Sequence, residues 1–142
     1  MDLLYGLIVR SANDAASDGA WLYKVKQNEL VVLCLGVNDI GENRVQQLLE
    51  HWDALDRENL RVHFIGTLQK NKVKYIIDKV AMIHSLDSIS LAQEIEKQAA
   101  KRDRTVDVLC EINCGREESK SGLMPEEAED FCLSLGDFPH LR

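Results

Sequence analysis

The sequence predicts an α/β protein built on a parallel sheet. Three observations carry this. Short apolar runs alternate with amphipathic helical stretches along the chain, the βαβ pattern that implies right-handed crossovers between parallel strands. Val62, Phe64 and Ile65 form a short apolar run, as in a strand covered on both faces. Polar residues cluster just where that run stops, from Gly66 to Asn71, and α/β folds bind ligands at the carboxyl ends of their strands.

The elements follow in order. Met1 to Ala16 reads as a helix with Leu3, Leu4, Leu7 and Ile8 on one side. Its apolar start lacks a basic flank and a cleavage site, so it does not read as a signal peptide. Ser17-Asp18-Gly19 is a turn, and Ala20 to Lys26 is a strand carrying Trp21, Leu22, Tyr23 and Val25. Asn28 is placed to cap a helix from Glu29 to Leu35 that Gly36 ends. Val37 to Ile40 is a short strand. Val45, Leu48, Leu49, Trp52 and Leu55 then recur at three- and four-residue steps, one face of a helix from Arg44 to Leu55.

Leu60 to Ile65 is the next strand. Lys72 to Val80 reads as helix with Val73, Ile76 and Ile77 inward, and Ala81 to His84 as strand. Asp87 or Ser88 starts the helix Ile89 to Lys101, with Leu91, Ile95 and Ala99 inward and Glu94 and Gln98 outward. Val106 to Ile112 is the longest strand signal. Cys114 to Leu123 is a charged, glycine-bearing loop. Pro125 opens a helix from Glu126 to Leu135. Leu141-Arg142 begins one more strand. The count is about five strands and the stub of a sixth, in a single α/β domain over 1–142.

Composition narrows the function classes. A net charge of −7 argues against a general nucleic-acid binder, and no apolar run is long enough to span a membrane. The cysteines Cys34, Cys110, Cys114 and Cys132 make no CxxC pair and read as buried free thiols of a reducing cytoplasm. His51, His63, His84 and His140 are scattered, without metal-ligand spacing. There is no Walker loop, GxGxxG or Ser/His/Asp order.

Four ordered blocks carry a resemblance. They are Gly41-Glu42-Asn43-Arg44-Val45-Gln46 with His63-Phe64-Ile65-Gly66-Thr67-Leu68-Gln69-Lys70-Asn71-Lys72, then Ile83-His84-Ser85-Leu86-Asp87-Ser88, then Glu111-Ile112-Asn113-Cys114-Gly115-Arg116 through Gly122, and the closing Phe138-Pro139-His140-Leu141-Arg142. In these, from about Asn38 onward, the chain resembles the pyridoxal phosphate (PLP) homeostasis protein family, whose fold is that of the alanine racemase N-terminal domain. The resemblance implies a TIM-type (β/α) barrel. Eight βα units take about 250 residues, so 142 residues imply a partial, truncated barrel of about five to six units. Its open side and edge strands would favour self-association, or leave the chain unstable alone. The family holds the cofactor phosphate with a serine- and glycine-rich segment after the late strands, beside an arginine near the pyridine nitrogen. Neither segment occurs in these residues.

The resemblance also implies site residues. Lys24, in Tyr23-Lys24-Val25-Lys26, matches the lysine that attaches the cofactor's aldehyde, although the family has serine, threonine and usually proline where this chain has Tyr23, Val25 and Gln27. A lysine at a buried strand end loses part of its basicity and is a better nucleophile. Otherwise Lys24 and Lys26 are a solvated pair. Asn43 matches a pocket asparagine, or is a helix N-cap. His63 matches a histidine near the cofactor ring, or is a hydrogen-bonded core residue; alternation puts Arg61, His63 and Ile65 on one side of their strand. Ser85 and Asn113 end strands and are pocket candidates, or cap the loops that follow. Lys120 and Ser121, and the cluster Lys70, Lys72 and Lys74, are placed to meet an anion or simply face solvent.

The expected function is intracellular PLP binding and homeostasis without robust turnover, in a cytoplasmic protein with no catalytic residue of its own. Two alternatives remain open: a cofactor-free domain acting through protein association, and a racemase-like PLP enzyme. Alanine racemases take a catalytic tyrosine from a second domain that these residues do not contain.

Overall fold

A computed structural model of the chain describes residues 20–24, 30–34, 39–55, 57–58 and 60–142. The expected helix over 1–16 and the turn after it lie outside the described residues.

The first two strands, β1 (Ala20–Lys24) and β2 (Leu30–Cys34), form an antiparallel pair, with Ala20 opposite Cys34 and Lys24 opposite Leu30. This overturns the helix expected from Glu29 to Leu35. Leu30-Val31-Val32-Leu33 is a continuous apolar run with two adjacent β-branched residues. Such a run reads equally as strand or buried helix, and cross-strand pairing decides it. It also removes β1 from the parallel sheet, since β1 and β2 make a separate two-stranded sheet.

The parallel sheet holds β3 (Asp39–Glu42), β4 (Arg61–Phe64), β5 (Met82–Leu86) and β6 (Asp107–Cys110), in that spatial order. Helices α1 (Val45–His51), α2 (Val73–Ile76), α3 (Ile89–Ala100) and α4 (Ala128–Ser134) follow these strands in turn. Neighbours in sequence are neighbours in space, so the order never reverses. That is the winding of a barrel rather than of a doubly wound sheet. The expected stub is present on the far side of β6. Val106 N–H donates to His140 O at 2.9 Å, Arg142 N–H to Val106 O at 3.0 Å, and Val108 N–H to Arg142 O at 2.9 Å. The chain is thus a partial TIM-type barrel of four parallel strands and the start of a fifth, among the described residues.

Alternation sorts each strand into two faces. Val62, Phe64, Ile83 and Val106 are buried against Leu48, Val73, Ile76, Ile77, Leu91, Ile95 and Ala99 from the helices. Burial of each of these side chains larger than alanine contributes about 1.5–3 kcal/mol. The opposite face carries Asp39, Arg61, His63, His84 and Leu109, of which Leu109 is 46% exposed. Gln98 corrects the outward assignment on α3. It is buried, donates to Glu94 at 2.7 Å, and accepts from Arg102 at 3.0 Å. The thiols also differ from expectation: Cys114 and Cys132 are exposed, and Cys110 is half-buried.

Candidate functional site

Parallel strands present all their carboxyl ends along one edge. Here that edge collects Asn43 after β3, Ile65 and Gly66 after β4, Ser85 and Leu86 at the end of β5, and Asn113 beyond β6. The first two ends are drawn tightly together. Ile65 N–H donates to Glu42 O at 2.8 Å. A Cβ on Gly66 would lie 1.9 Å from Asn43 O, so only glycine fits this approach. Asn43 is not the helix cap: the N-cap of α1 is Arg44, in extended conformation.

Ser85 is 4% exposed, and its hydroxyl is buried without a hydrogen-bond partner. A buried hydroxyl left unpaired is costly and calls for an explanation. Asn113 is spent differently. Its Nδ2 donates to Glu117 O at 2.8 Å, and its Oδ1 accepts from Glu117 N–H at 3.2 Å. The strand-end amide therefore folds the following loop back on itself. Asn113 N–H donates to Leu123 O, and Leu123 N–H to Glu111 O, both at 2.8 Å. Ser121 donates to Glu111 at 2.8 Å, and Arg116 grips Glu126 with two bonds of 2.9 Å. The charged loop is thus tied down at both ends. Lys120 and the Lys70–Lys74 cluster are exposed.

His63 sits below this edge, on the open face of the sheet. Its Nε2 meets Asp39 Oδ1 at 3.1 Å and its Nδ1 meets His84 Nε2 at 2.8 Å. Arg61 donates to the other oxygen of Asp39 at 2.8 Å. That bond, with the Arg61 charge behind it, holds the Asp39 carboxyl below its ordinary pKa. Burial, then the neighbouring His63 charge, lowers the pKa of His84. The result is a chain Arg61–Asp39–His63–His84 crossing three strands. Alternation applied to β3 and β5 as it was to β4 would have found Asp39 and His84. Among the described residues, no group of three or more His, Cys, Asp or Glu is placed to hold a metal ion.

Residues 17–142 match the family model of the alanine racemase N-terminal domain. The chain belongs to that family. Among curated members similar to it, the pyridoxal phosphate homeostasis protein of Aquifex aeolicus is 46% identical over 107 residues, covering 75% of this chain and 47% of that protein. Its counterpart from Helicobacter pylori is 44% identical over 98 residues, covering 68% and 44%. The chain spans about half the length of the curated relatives it matches. Among solved structures, an unknown protein from Bifidobacterium adolescentis superposes with a TM-score of 0.70 at 36% identity, over 75% of this chain and 48% of that one. PipY of Synechococcus elongatus, in a structure with PLP bound, gives 0.64 at 26% identity, over 75% and 50%.

For a member of the alanine racemase N-terminal family, the edge offers a definite set of groups. Ser85 has a hydroxyl to give, and Gly66 clears the approach beside Asn43. Asn113 shapes the loop next to them. Lys24 ends β1, inside the stretch that the family model matches, while its side chain lies outside what the structure describes. Among the described residues, no helix is long and apolar enough to cross a membrane.

Proposed function

We propose that this protein binds pyridoxal 5'-phosphate at the carboxyl edge of its parallel strands and serves in intracellular, cytoplasmic PLP homeostasis without robust turnover. The observation that carries the reading is the unpaired, buried Ser85 hydroxyl on the edge that also carries Asn43, Gly66 and Asn113. The names of the curated relatives support it, as does the PLP bound to PipY, a protein of the same fold.

In this reading Lys24 is the attachment residue and Ser85 a hydrogen-bond donor to the ligand. Asn43 lines the pocket, and Asn113 positions its loop. His63 acts through its electrostatics from below the edge, because both ring nitrogens are engaged. When bound, PLP supplies an aldehyde to react with an amine and a ring that withdraws electrons. The chain's own residues bind and orient it.

A visible absorbance titration with PLP tests this, followed by borohydride reduction and peptide mapping. Saturable, stoichiometric binding with label on Lys24 is expected, and no racemisation of alanine. Unsaturable labelling spread over exposed lysines overturns the reading. A second reading, self-association through the open face, rests on Leu109, 46% exposed on the sheet. Sedimentation tests it, and a monomer at all concentrations overturns it.

A further inference from the structure

Cys110 on β6 and Cys132 on α4 face each other with their sulfurs 3.7 Å apart. They are 22 positions apart in sequence, so the contact is made by tertiary packing. Cys110 packs against the hydrophobic core, while Cys132 is exposed beside the buried Phe131. A disulfide needs sulfurs about 2.05 Å apart, so closure asks for an approach of less than about 2 Å. Side-chain rotation at the exposed Cys132 is the natural source of that movement.

We propose that Cys110 and Cys132 form a reversible disulfide site, closed by a small-molecule disulfide such as glutathione disulfide and reopened by thiols. Neither the PLP reading nor family membership bears on it.

The two sulfurs have unequal roles. Cys132 meets solvent, so it reacts first. Its thiolate attacks one sulfur of glutathione disulfide; a bond forms between Cys132 Sγ and that sulfur, and the glutathione S–S bond breaks. One glutathione leaves as thiolate. Cys110 then gives its proton to water, and its Sγ attacks Cys132 Sγ. The protein disulfide forms and the second glutathione leaves as thiolate. The two protein thiols lose two electrons, glutathione disulfide gains them, and the two protons end on the two glutathione thiols.

Burial, then the bond to Cys132, raises the Cys110 thiol to about 11. Cys110 is therefore mostly protonated at neutral pH and reacts slowly with bulk oxidant, whereas a mixed disulfide on Cys132 presents an electrophilic sulfur at contact distance. Closure should accelerate as pH rises, because only the thiolate attacks. The closed bridge would tie β6 to α4 around the Asn113–Leu123 loop. Constraining the unfolded chain in this way raises Tm by roughly 5–10 °C.

The test uses the purified full chain in buffers of varied glutathione disulfide to glutathione ratio. Samples are quenched in acid, alkylated and mapped by mass without reduction. The expected product is one intramolecular Cys110–Cys132 link, with a raised Tm that dithiothreitol reverses. Cys110→Ser should trap a stable glutathione adduct on Cys132. Cys132→Ser should leave Cys110 unmodified, and Cys114→Ser should leave the link intact. A lasting glutathione adduct on Cys132 in the unmodified chain overturns the proposal. So does a link through Cys34 or Cys114, a link between chains, or a direct adduct on Cys110 in Cys132→Ser.

Discussion

His63 Nδ1 and His84 Nε2 lie 2.8 Å apart and share one hydrogen. Asp39 accepts from His63 Nε2, so His63 Nδ1 is left as acceptor and His84 Nε2 donates to it. These tautomers are assigned from the hydrogen-bond network. Protonating both rings would set two N–H groups against each other. Burial, with the His63 charge second, lowers the His84 pKa below its ordinary 6.5. Between the lowered and the ordinary value the unfolded chain binds more protons, so stability rises with pH in that window. The contribution is fully present above about 6.5 and is lost as pH falls toward the folded value. Tm measured from about pH 7.5 down to about 5 should therefore fall, and His84→Gln should flatten that fall. An unchanged slope in the variant would show that the pair does not govern it. Asp39, Arg61 and Asp107 share this side of the sheet, so Asp39→Asn should alter the slope as well.

Gly66 makes the tightest approach at the strand edge. An alanine there would put its Cβ 1.9 Å from the Asn43 carbonyl oxygen and 2.6 Å from its carbon. These are backbone atoms, and the β3–β4 ladder holds them, so neither side yields cheaply. Gly66→Ala should cost about 3 kcal/mol or more, seen as a lower urea midpoint. A loss below about 0.5 kcal/mol would mean that the two strand ends do not meet this closely.

Much of the parallel half was legible from period alone. Ile89–Ala100 is a helix because Leu91, Ile95 and Ala99 line one side with no glycine or proline to interrupt them. Phe64 and Val62 mark β4 by alternation. The antiparallel hairpin was not legible, because Leu30 to Cys34 has no polar alternation, and a well-placed Asn28 and Gly36 mimic helix ends. Residue type alone makes Lys120 and Ser121 equal candidates to meet an anion, yet the Ser121 hydroxyl is drawn to Glu111. The His63–His84 bond joins residues 21 positions apart. Only strand register brings them together, and a list of residue types carries no register.

Asn113 is the hinge between β6 and its loop. Its side chain makes both a donor and an acceptor bond to the Glu117 backbone. Each such bond contributes about 1 kcal/mol net. Asn113→Ala should therefore destabilise the chain by about 1–2 kcal/mol, and raise amide exchange over residues 114–122 without changing exchange in α3. Asn113→Asp keeps the acceptor and should fall between. Uniform acceleration of exchange across the domain would refute a local role.

Ser85 separates a structural residue from a ligand-binding one. Its hydroxyl is buried and unpaired in the protein alone, so removing it takes away a desolvation cost rather than a bond. Ser85→Ala should leave the cofactor-free protein equally stable or more stable, by up to about 1 kcal/mol. Most buried substitutions go the other way. If the hydroxyl is held in reserve for PLP, the same variant should weaken PLP binding by about fivefold to tenfold, the loss of one hydrogen bond. Stability comes from thermal melts without PLP, and affinity from absorbance titration. A variant less stable without PLP would show that Ser85 serves the fold. One with unchanged stability and unchanged affinity would remove Ser85 from the site.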